Sequence, residues 1–348
     1  MQPTTRKIAL IDVARELGLS IGTVDRALHD RPGVNPMTRA KVLQMARTLG
    51  YRPNLAARAL SSKKRTRIAA VLPRDPWGYF EGVNEGILEA AQATESAGVE
   101  IETGAYAWLG EGEAEAIEAA IQDGISGLII SPGVFEVVRP VIRKASRVNI
   151  PVVCVATDAP GTERLSLVQT DPTVSGALAA ELLGTALSGK GKVAVVMGSR
   201  ATMTHLEILR GFQAMLEAHF PKLKLAAVLE AQDDPELAYQ KSLELMSVEP
   251  ALAGVYVSTS NSGAVFRALD ETGRTGKIPV VTMDLFPEVA ERLRQGAVLA
   301  SIHQRPKKQG REAFRALYSF LNDGVCPPAS TLISPQIVMR ANLDLFAK

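Results

Sequence analysis

The sequence predicts an all-α helix-turn-helix head followed by a larger α/β body, in which two similar lobes each contain a doubly wound parallel sheet. Three observations favour this fold class. Residues 10–50 carry apolar side chains at helical spacing. From Ile68 onward, short aliphatic runs alternate with amphipathic helical stretches, which is typical of parallel sheets. The 348 residues have room for two or three domains, and 46% hydrophobic with 22% charged residues indicates a globular, soluble chain.

The charge of the chain is divided unevenly between its two parts. The net charge is only +2, but residues 1–67 contain 14 Lys and Arg against 4 Asp and Glu, whereas the remainder contains 25 against 33. A small cationic segment on an acidic body predicts a polyanion-binding module, with nucleic acid as the favoured partner. A solvated basic spacer is the alternative interpretation.

The head has the pattern of three short helices. The first spans Leu10–Leu17 and stops at Gly18, and Ser20 then caps a second helix that runs through Leu28. A third helix begins at Asn35 as its cap and has a proline in its first turn. Two short helices that meet at a tight turn indicate a helix-turn-helix.

The second helix is the predicted reading helix, because a helix-turn-helix inserts its second helix into the major groove of DNA. Ile21, Gly22 and Arg26 lie where they would contact base edges. The hydroxyl groups of Ser20 and Thr23 lie where they would meet phosphate.

The same segment resembles, without gaps from about Leu10 to Leu60, the DNA-binding head of the LacI/GalR family. Asp25 departs from the family pattern, which commonly has Ser there; because phosphate would repel a carboxylate, we expect Asp25 to turn toward protein or toward Arg26. The matching positions are Asp12, Val13, Ala14, Ser20, Thr23, Val24, Arg26, Val34, Thr38, Arg39, Tyr51, Pro53, Asn54, Ala57 and Leu60.

This resemblance implies a hinge helix at residues 54–61 that forms on DNA and wedges Leu60 into the minor groove. It places Asn54 and Ala57 against the groove and Arg58 near the DNA backbone. An ordinary linker leucine is the alternative interpretation of Leu60. The resemblance also implies DNA contacts by Asn35, Thr38 and Tyr51.

Ten strands are predicted in the body, more than one sheet comfortably holds, which favours two lobes. The predicted strands are Ile68–Leu72, Val99–Glu102, Gly127–Ser131, Pro151–Val155, Leu165–Val168, Val193–Met197, Leu223–Leu229, Gly254–Val257, Pro279–Met283 and Val298–Ile302.

Polar and aromatic residues cluster in the loops that follow these strands. Ligands of doubly wound sheets bind beyond the carboxyl ends of the strands, here between the two lobes. Aromatic rings stack on the apolar faces of sugars, while carboxylates and amides hydrogen-bond to hydroxyl groups. A sugar or related polar metabolite is therefore the predicted effector. Its predicted binding residues are Asp75, Trp77, Tyr79, Phe80, Thr157, Asp158, Asp171, Arg200, His205, Ser258, Asp284 and Gln304.

Several of these residues have a structural alternative. Trp77 can close a loop by packing, and each aspartate of the set can cap a helix, of which Asp171 before Pro172 is the plainest example.

The body also resembles the type I periplasmic binding proteins, and within them the ribose-binding subgroup, over roughly residues 68–348. The resemblance implies that Asp284 and Gln304 bind sugar and that Trp77 and Phe80 stack on it.

Two positions depart from that subgroup. Near the fourth strand the family often has Asp-Arg, where this chain has Thr157 and Asp158. An arginine of the second lobe maps near Leu206, with His205 and Arg200 as replacements. These departures leave the identity of the effector open.

The predicted domains are a head at 1–52, a hinge and linker at 53–67, a first lobe at 68–169 with 304–327, and a second lobe at 170–303 with 328–348. The resemblance implies chain crossings between the lobes near Asp171, Gln304 and about Pro328.

No cofactor or metal is predicted. Cys154 and Cys326 lack the spacing of a zinc or disulfide motif and are predicted to be buried free thiols. Gly18–Gly22 matches a hydrolase GxSxG string but follows a helix, and Gly184–Gly191 lacks the Ser or Thr of a phosphate loop. No stretch has the length of a membrane span or a signal segment, so we expect a cytoplasmic protein.

The expected function is ligand-controlled transcriptional regulation, usually repression, of carbohydrate genes by a nucleoid-associated homodimer on a pseudo-palindromic operator. A metabolite sensor acting through a protein corepressor is the second alternative. An enzyme is the third, and the sequence lacks the motifs that it requires. The C-terminal residues contain no heptad repeat, which favours a dimer over a tethered tetramer.

Overall fold

The structure is a computed structural model that describes residues 10–28, 33–49, 66–75, 78–94 and 98–346. In the head, α1 spans Leu10–Leu17, α2 spans Ile21–Leu28 and α3 spans Pro36–Thr48. Gly18 follows α1 with a φ of +64°, a conformation that glycine adopts without strain. The three predicted helices are confirmed.

Two predicted caps hold the ends of the head helices. Ser20 Oγ accepts a hydrogen bond from the Thr23 amide at 3.1 Å. Asn35 Oδ1 accepts from the amides of Met37 at 2.8 Å and Thr38 at 3.2 Å. Each cap satisfies amides that have no partner within their own helix.

The core of the head is small. Its fully buried side chains are Val13, Ala14, Val24, Ala27 and Val42, with leucines, a valine and a methionine partly buried around them. These residues recur at helical spacing on α1, α2 and α3, so each helix is held by one apolar stripe.

The first lobe and its connections have the following elements. They are β1 (Thr66–Pro73), α4 (Tyr79–Gln92), β2 (Val99–Tyr106), α5 (Glu113–Gln122), β3 (Gly127–Ile130), α6 (Phe135–Arg147), β4 (Val152–Val155) and β5 (Ser166–Thr170).

The second lobe follows without interruption. Its elements are α7 (Pro172–Ala186), β6 (Gly191–Met197), α8 (Met203–His219), β7 (Leu223–Glu230), α9 (Pro235–Val248), β8 (Leu252–Ser258), α10 (Ser262–Glu271), β9 (Val280–Met283), α11 (Pro287–Gln295) and β10 (Ala300–His303). The chain then continues through α12 (Pro306–Asp323), β11 (Ser330–Ile333), β12 (Gln336–Val338) and a short 3₁₀ turn at Leu343–Leu345.

Two six-stranded sheets form the body. The strand order is β11-β5-β4-β3-β1-β2 in the first and β12-β10-β9-β8-β6-β7 in the second. All pairings are parallel except β10 with β12. All ten predicted strands are present, and each sheet is covered on both faces by helices, as in doubly wound folds.

The end of the chain corrects the predicted third crossing. Strand β11 pairs with β5 in the first sheet, so residues 330–333 belong to the first lobe and the crossing follows Ile333 instead of lying near Pro328. Strands β11 and β12 were not predicted. In β11 only Ile333 is buried, and β12 has three residues, so neither strand produces a clear apolar run.

Each lobe has one close helix crossing made by glycines. A Cβ at Gly86 of α4 would lie 2.0 Å from the Lys307 carbonyl oxygen, and one at Gly310 of α12 would lie 1.9 Å from that of Val83. In the second lobe, Gly176 and Gly211 play the same part between α7 and α8. Any larger residue at these four positions would push the two backbones apart.

The cysteine prediction is half correct. Cys154 is buried in β4, but Cys326 is exposed, because it lies in the connection between α12 and β11 and not in a strand or helix.

In the part of the chain that the structure describes, no helix has both the length and the apolar character needed to cross a bilayer. The described residues also contain no His, Cys, Asp and Glu group arranged to hold a metal ion.

Candidate ligand cavity and DNA-binding surface

An open cavity lies between the two lobes, at the carboxyl ends of the strands of both sheets. This is the position at which doubly wound sheets bind ligands. The first lobe contributes Tyr79, Phe80, Leu109, Ala156 and Thr157; the second contributes Thr202, Thr204, His205, Ile208, Asp233, Ser258, Thr259, Ser260, Met283, Asp284 and Phe286; and Gln304 lies at the crossing between them.

Aromatic rings form part of both walls. Tyr79 and Phe80 begin α4, and their rings meet edge to face with 5.0 Å between centroids. Phe286, which begins the turn into α11, contacts the apolar cores of both lobes. These rings supply the apolar surface that a sugar ring needs.

The two lobes touch at the rim of the cavity. Thr204 Oγ1 of α8 donates to the carbonyl oxygen of Ala156 at 3.3 Å. The neighbouring Thr157 hydroxyl is buried and has no hydrogen-bond partner among the described residues. A buried hydroxyl without a partner in a cavity wall is free to bond to a ligand.

Asp284 and Gln304 form a buried pair at the cavity wall. Asp284 follows β9 with a φ of +57° and is 6% exposed. Its Oδ1 accepts from the Gln304 amide at 2.8 Å, and its Oδ2 accepts from Gln304 Nε2 at 2.6 Å. This pairing fixes the carboxylate and leaves lone pairs on both oxygens for a ligand.

Burial changes the ionisation of Asp284. Its pKa rises from 3.8 to about 6 because removal from water penalises the charged form, and the two bonds from Gln304 only partly oppose the rise. The same negative charge raises the pKa values of the Tyr79 and Tyr256 phenols, for which burial is the larger cause.

A second buried amide supports this wall from behind. Gln309 of α12 is fully buried, and its Nε2 donates to the Tyr79 hydroxyl at 3.1 Å, to Thr170 Oγ1 at 3.1 Å and to the Gln304 carbonyl at 2.8 Å. Thr170 Oγ1 also donates to the Gln304 carbonyl. Gln309 thus joins an aromatic wall residue to two of the segments that cross between the lobes.

The opposite wall carries His205 and Asp233. His205 Nδ1 accepts from the Ser199 amide at 3.0 Å and lies 3.3 Å from the Ser199 carbonyl oxygen. Asp233, at a φ of +56°, accepts from Thr259 Oγ1 at 2.8 Å. Gly198 allows both side chains to approach, because a Cβ there would lie 2.2 Å from the His205 ring and 2.5 Å from Asp233 Oδ1.

The structure brings seven predicted effector residues into the cavity wall. They are Tyr79, Phe80, Thr157, His205, Ser258, Asp284 and Gln304. Contact of these residues with an effector stays a prediction.

Four predicted effector residues do not line the cavity. Asp75 is exposed. Asp158 pairs with Arg164 at 2.5 Å, Asp171 caps α7 by accepting from the Val174 amide at 3.0 Å, and Arg200 pairs with Glu230 at 3.3 Å. In each of these three cases the side chain bonds to a neighbouring residue instead of lining the cavity. Trp77 lies outside the described residues.

Other wall residues were missed by the sequence reasoning. Asp233 had a signal, because two aspartates precede Pro235 and only one of them, Asp234, is needed as the cap of α9. Phe286 also had a signal, because it is an aromatic residue shortly after β9. The other apolar and hydroxyl residues had none, since no local pattern distinguishes them from residues that only pack. They are Leu109, Ala156, Thr202, Thr204, Ile208, Thr259, Ser260 and Met283.

The predicted reading helix exposes the expected face. Val24 and Ala27 of α2 are buried, whereas Ile21 is 49% exposed and Gly22 and Arg26 are also exposed. Ser20 and Thr23 share a 2.8 Å hydrogen bond between their hydroxyl groups in addition to the cap. The predicted contacts at Tyr51, Asn54, Ala57, Arg58 and Leu60 lie outside the described residues.

These observations define a class of protein, in which a helix-turn-helix head precedes a two-lobed ligand-binding body. Residues 68–324 match the family described as periplasmic binding protein domain, and the chain belongs to that family. Residues 9–54 match the family described as bacterial regulatory proteins, lacI family. Both predicted resemblances and the predicted fold class are confirmed.

Curated relatives align with part of this chain. Catabolite control protein A of Priestia megaterium is 40% identical over 84 residues, covering 24% of this chain and 25% of that protein. The HTH-type transcriptional regulator RegA of Clostridium saccharobutylicum is 50% identical over 62 residues, covering 18% of this chain and 19% of that protein. Catabolite control protein A of Staphylococcus epidermidis is 26% identical over 217 residues, covering 62% and 63%. The aligned part is thus less than two thirds of each relative.

Solved structures resemble the body. A glucose-galactose binding protein from Geobacillus stearothermophilus has a TM-score of 0.75 at 23% identity, over 81% of this chain and 99% of that chain. A solute-binding protein from Burkholderia graminis, solved with D-arabinose, has a TM-score of 0.76 at 25% identity, over 82% and 100%. These matches establish the two-lobed fold of the body.

Proposed function

We propose that this protein is a sequence-specific DNA-binding transcriptional regulator of carbohydrate genes, controlled by a sugar or related polar metabolite bound between its lobes. The observation that carries the proposal is the presence, in one chain, of a lacI-type head with an exposed reading face and a body with a polar and aromatic cavity. In this role the cavity binds its ligand without transforming it.

The head supports the DNA-binding half of the proposal. Ile21, Gly22 and Arg26 face outward from α2 while Val24 and Ala27 hold it to the core. This arrangement presents a helix surface to the major groove, and the helix lies within the residues that match the lacI family. A chromosomal target requires a cytoplasmic, nucleoid-associated protein.

The cavity supports the ligand-binding half. Its rings, two carboxylates, one amide and several hydroxyl groups are the groups that bind a polyhydroxylated ligand. A glucose-galactose binding protein and a solute-binding protein solved with D-arabinose share the fold of the body.

The two halves would be coupled through residues 53–67. In the proposed homodimer, effector binding reorients the lobes and changes the spacing of the two hinges, which alters how well both heads reach their half-sites. Coupling of this kind is typically about 1–3 kcal/mol, or roughly 5–150-fold in DNA affinity. The affinity of the phosphate contacts falls steeply with salt.

The test is capture of fragmented genomic DNA by the purified chain at two salt concentrations, followed by sequencing. We expect a few pseudo-palindromic sites that are lost at high salt. Arg26→Ala should abolish their enrichment, whereas Arg294→Ala, which removes an equal charge from an exposed position in the body, should retain it.

Absence of enriched sites would contradict autonomous DNA binding. If sites then appear only when cell extract is added, a protein corepressor is required. A thermal-shift screen of sugars against the same preparation tests the cavity separately, and genes beside the enriched sites indicate which sugars to include.

A further inference from the structure

The cavity wall has negative charge that no protein cation balances. Asp233 and Asp284 are its two carboxylates, and no lysine or arginine is among the lining residues that the structure describes. The two undescribed residues before Gly78, Pro76 and Trp77, carry no charge in any conformation.

Two arginines of the neighbouring loops pair with carboxylates that do not line the cavity. Arg164 holds both carboxylate oxygens of Asp158, at 2.5 and 3.0 Å. Arg200 pairs with Glu230 at 3.3 Å. Neither Arg164 nor Arg200 is among the residues that line the cavity.

His205 does not supply the missing positive charge. Its Nδ1 lies 3.0 Å from the Ser199 amide nitrogen and 3.3 Å from the Ser199 carbonyl oxygen. The backbone of its own loop, and neither Asp233 nor Asp284, is therefore the partner of this nitrogen.

Asp284 experiences this imbalance most strongly, because it is almost fully buried, whereas Asp233 is half-buried. The partners of its carboxylate are the neutral amides of Gln304. Burial without a cation raises its pKa to about 6. At such a buried carboxylate a ligand cation would gain a strong charge-assisted bond, and a ligand anion would be repelled.

We propose that the cavity takes a positively charged polyhydroxylated amine, such as an amino sugar with a free ammonium group, in preference to its neutral parent, and rejects phosphorylated sugars. The ammonium group pairs with Asp284, and the rings of Tyr79, Phe80 and Phe286 cover the apolar face of the sugar and favour a nearby cation. This inference rests on the proposed function, since it specifies the ligand class of the same cavity.

The test is isothermal titration of the full chain, at neutral pH, with matched sugars in the glucose, galactose and mannose series. Each series compares four compounds: the neutral hexose, the 2-amino sugar, the N-acetyl derivative of the amino sugar and the 6-phosphate of the hexose. In the series that fits the cavity, we expect the amine to bind about tenfold or more tighter than the hexose, because charged hydrogen bonds are stronger than neutral ones. The N-acetyl compound should lose that advantage, and the phosphate should not bind measurably.

Asp284→Asn tests the assigned partner of the ammonium group. Asn adopts positive φ more readily than most residues and keeps an acceptor for the Gln304 amide, so the variant should fold. We expect the ratio of amine to hexose affinity to fall to about one in this variant. Asp234→Asn, at the exposed cap of α9, is the matched control and should keep the wild-type ratio.

Three outcomes would overturn the inference. These are equal binding of amine and hexose by the wild type, tighter binding of a phosphate, or an unchanged ratio in Asp284→Asn. Binding of none of these compounds would contradict both the inference and the sugar-binding half of the proposed function, whereas binding of hexoses alone would contradict only the inference.

Discussion

The head and the body differ in how their candidate functional residues are distributed along the chain. The predicted base contacts of the head lie between Ile21 and Arg26, on one helix. The cavity of the body is assembled from loops that range from Tyr79 to Gln304. A contiguous surface can be predicted once its helix has been identified. A dispersed surface can be predicted only when the relative position of two whole sheets is known.

The two regions also differ in the size of their cores. Five fully buried aliphatic or alanine side chains hold the head together, whereas four larger clusters hold the body. Small domains bury a smaller fraction of their surface and are less stable. A substitution with the same cost in free energy of unfolding should therefore reduce DNA binding when it lies in the head more than it reduces ligand binding when it lies in the body.

The largest effect is expected from Val24→Asp, which places a carboxylate in the core of the head. Val24 is fully buried, so the variant loses its packing and buries an unpaired charge, at a cost of more than about 3 kcal/mol. We expect operator affinity to fall by more than about a hundredfold while ligand affinity and the main thermal transition are unchanged.

Ile11→Asp is its control, because Ile11 is 46% exposed on α1 and receives the same new charge. It should bind operator much more tightly than Val24→Asp. A loss of ligand binding in Val24→Asp would show that head and body fold as one unit.

The next effect is expected within the body, from Gln309→Leu. The change leaves the buried Tyr79 hydroxyl without its amide partner and removes the bond to the Gln304 carbonyl. We expect a loss of about 2–3 kcal/mol in the free energy of unfolding of the body, measured by urea denaturation.

Coupling provides the sharper readout of this variant. Because Gln309 joins the cavity wall to two crossing segments, the ligand-induced change in operator affinity should shrink more than ligand affinity itself. Gln295→Leu, at an exposed glutamine on α11, should change neither quantity. Wild-type coupling in Gln309→Leu would leave this residue with a purely structural role.

Asp284→Asn should stabilise the body, by up to about 3 kcal/mol at pH 7.5. The folded state raises the pKa of this carboxyl from 3.8 to about 6, so ionising it at neutral pH destabilises the wild type. Well below pH 3.8 the carboxyl is protonated in both states, and the gain disappears. The difference between the two unfolding free energies should therefore grow as the pH rises from 4 to above 6.

His303 also titrates in this range, because burial and Arg305 lower its pKa to about 4. Its contribution is the same in both proteins and cancels in the difference. A stability difference that does not depend on pH would contradict the origin assigned to the pKa shift of Asp284.

The same contrast explains what the sequence predicts. The head helices and their caps follow from local spacing, and the ten strands follow from local apolar runs. The cavity is predicted in part, because Tyr79, Asp284 and Gln304 lie at strand ends whose position is set by the parallel sheets. Asp158 pairs with Arg164 and does not line the cavity. Local spacing in the sequence does not reveal this pairing. Gln309 carries no local signal at all, because its three partners come from α4, β5 and the crossing after β10.

The smallest change in stability and operator affinity is expected at Asn35, where a structural role and a predicted DNA contact fall on the same residue. Asn35 caps α3 and is also a predicted DNA contact, whereas Asp171 in the body caps α7 and does not line the cavity. Asn35→Ala removes the cap and should destabilise the head by about 1 kcal/mol. Asn35→Asp keeps the cap, because the two residues cap equally well, but places a negative charge toward phosphate.

The pair of variants separates the two roles. If Asn35 contacts DNA, Asn35→Asp should melt like the wild type, by circular dichroism, yet bind operator more weakly than Asn35→Ala, since repulsion by phosphate outweighs the lost cap. If Asn35→Asp instead binds operator as tightly as the wild type, Asn35 is a cap alone. The head would then resemble the body at Asp171, where a polar residue beside the candidate site serves only to begin a helix.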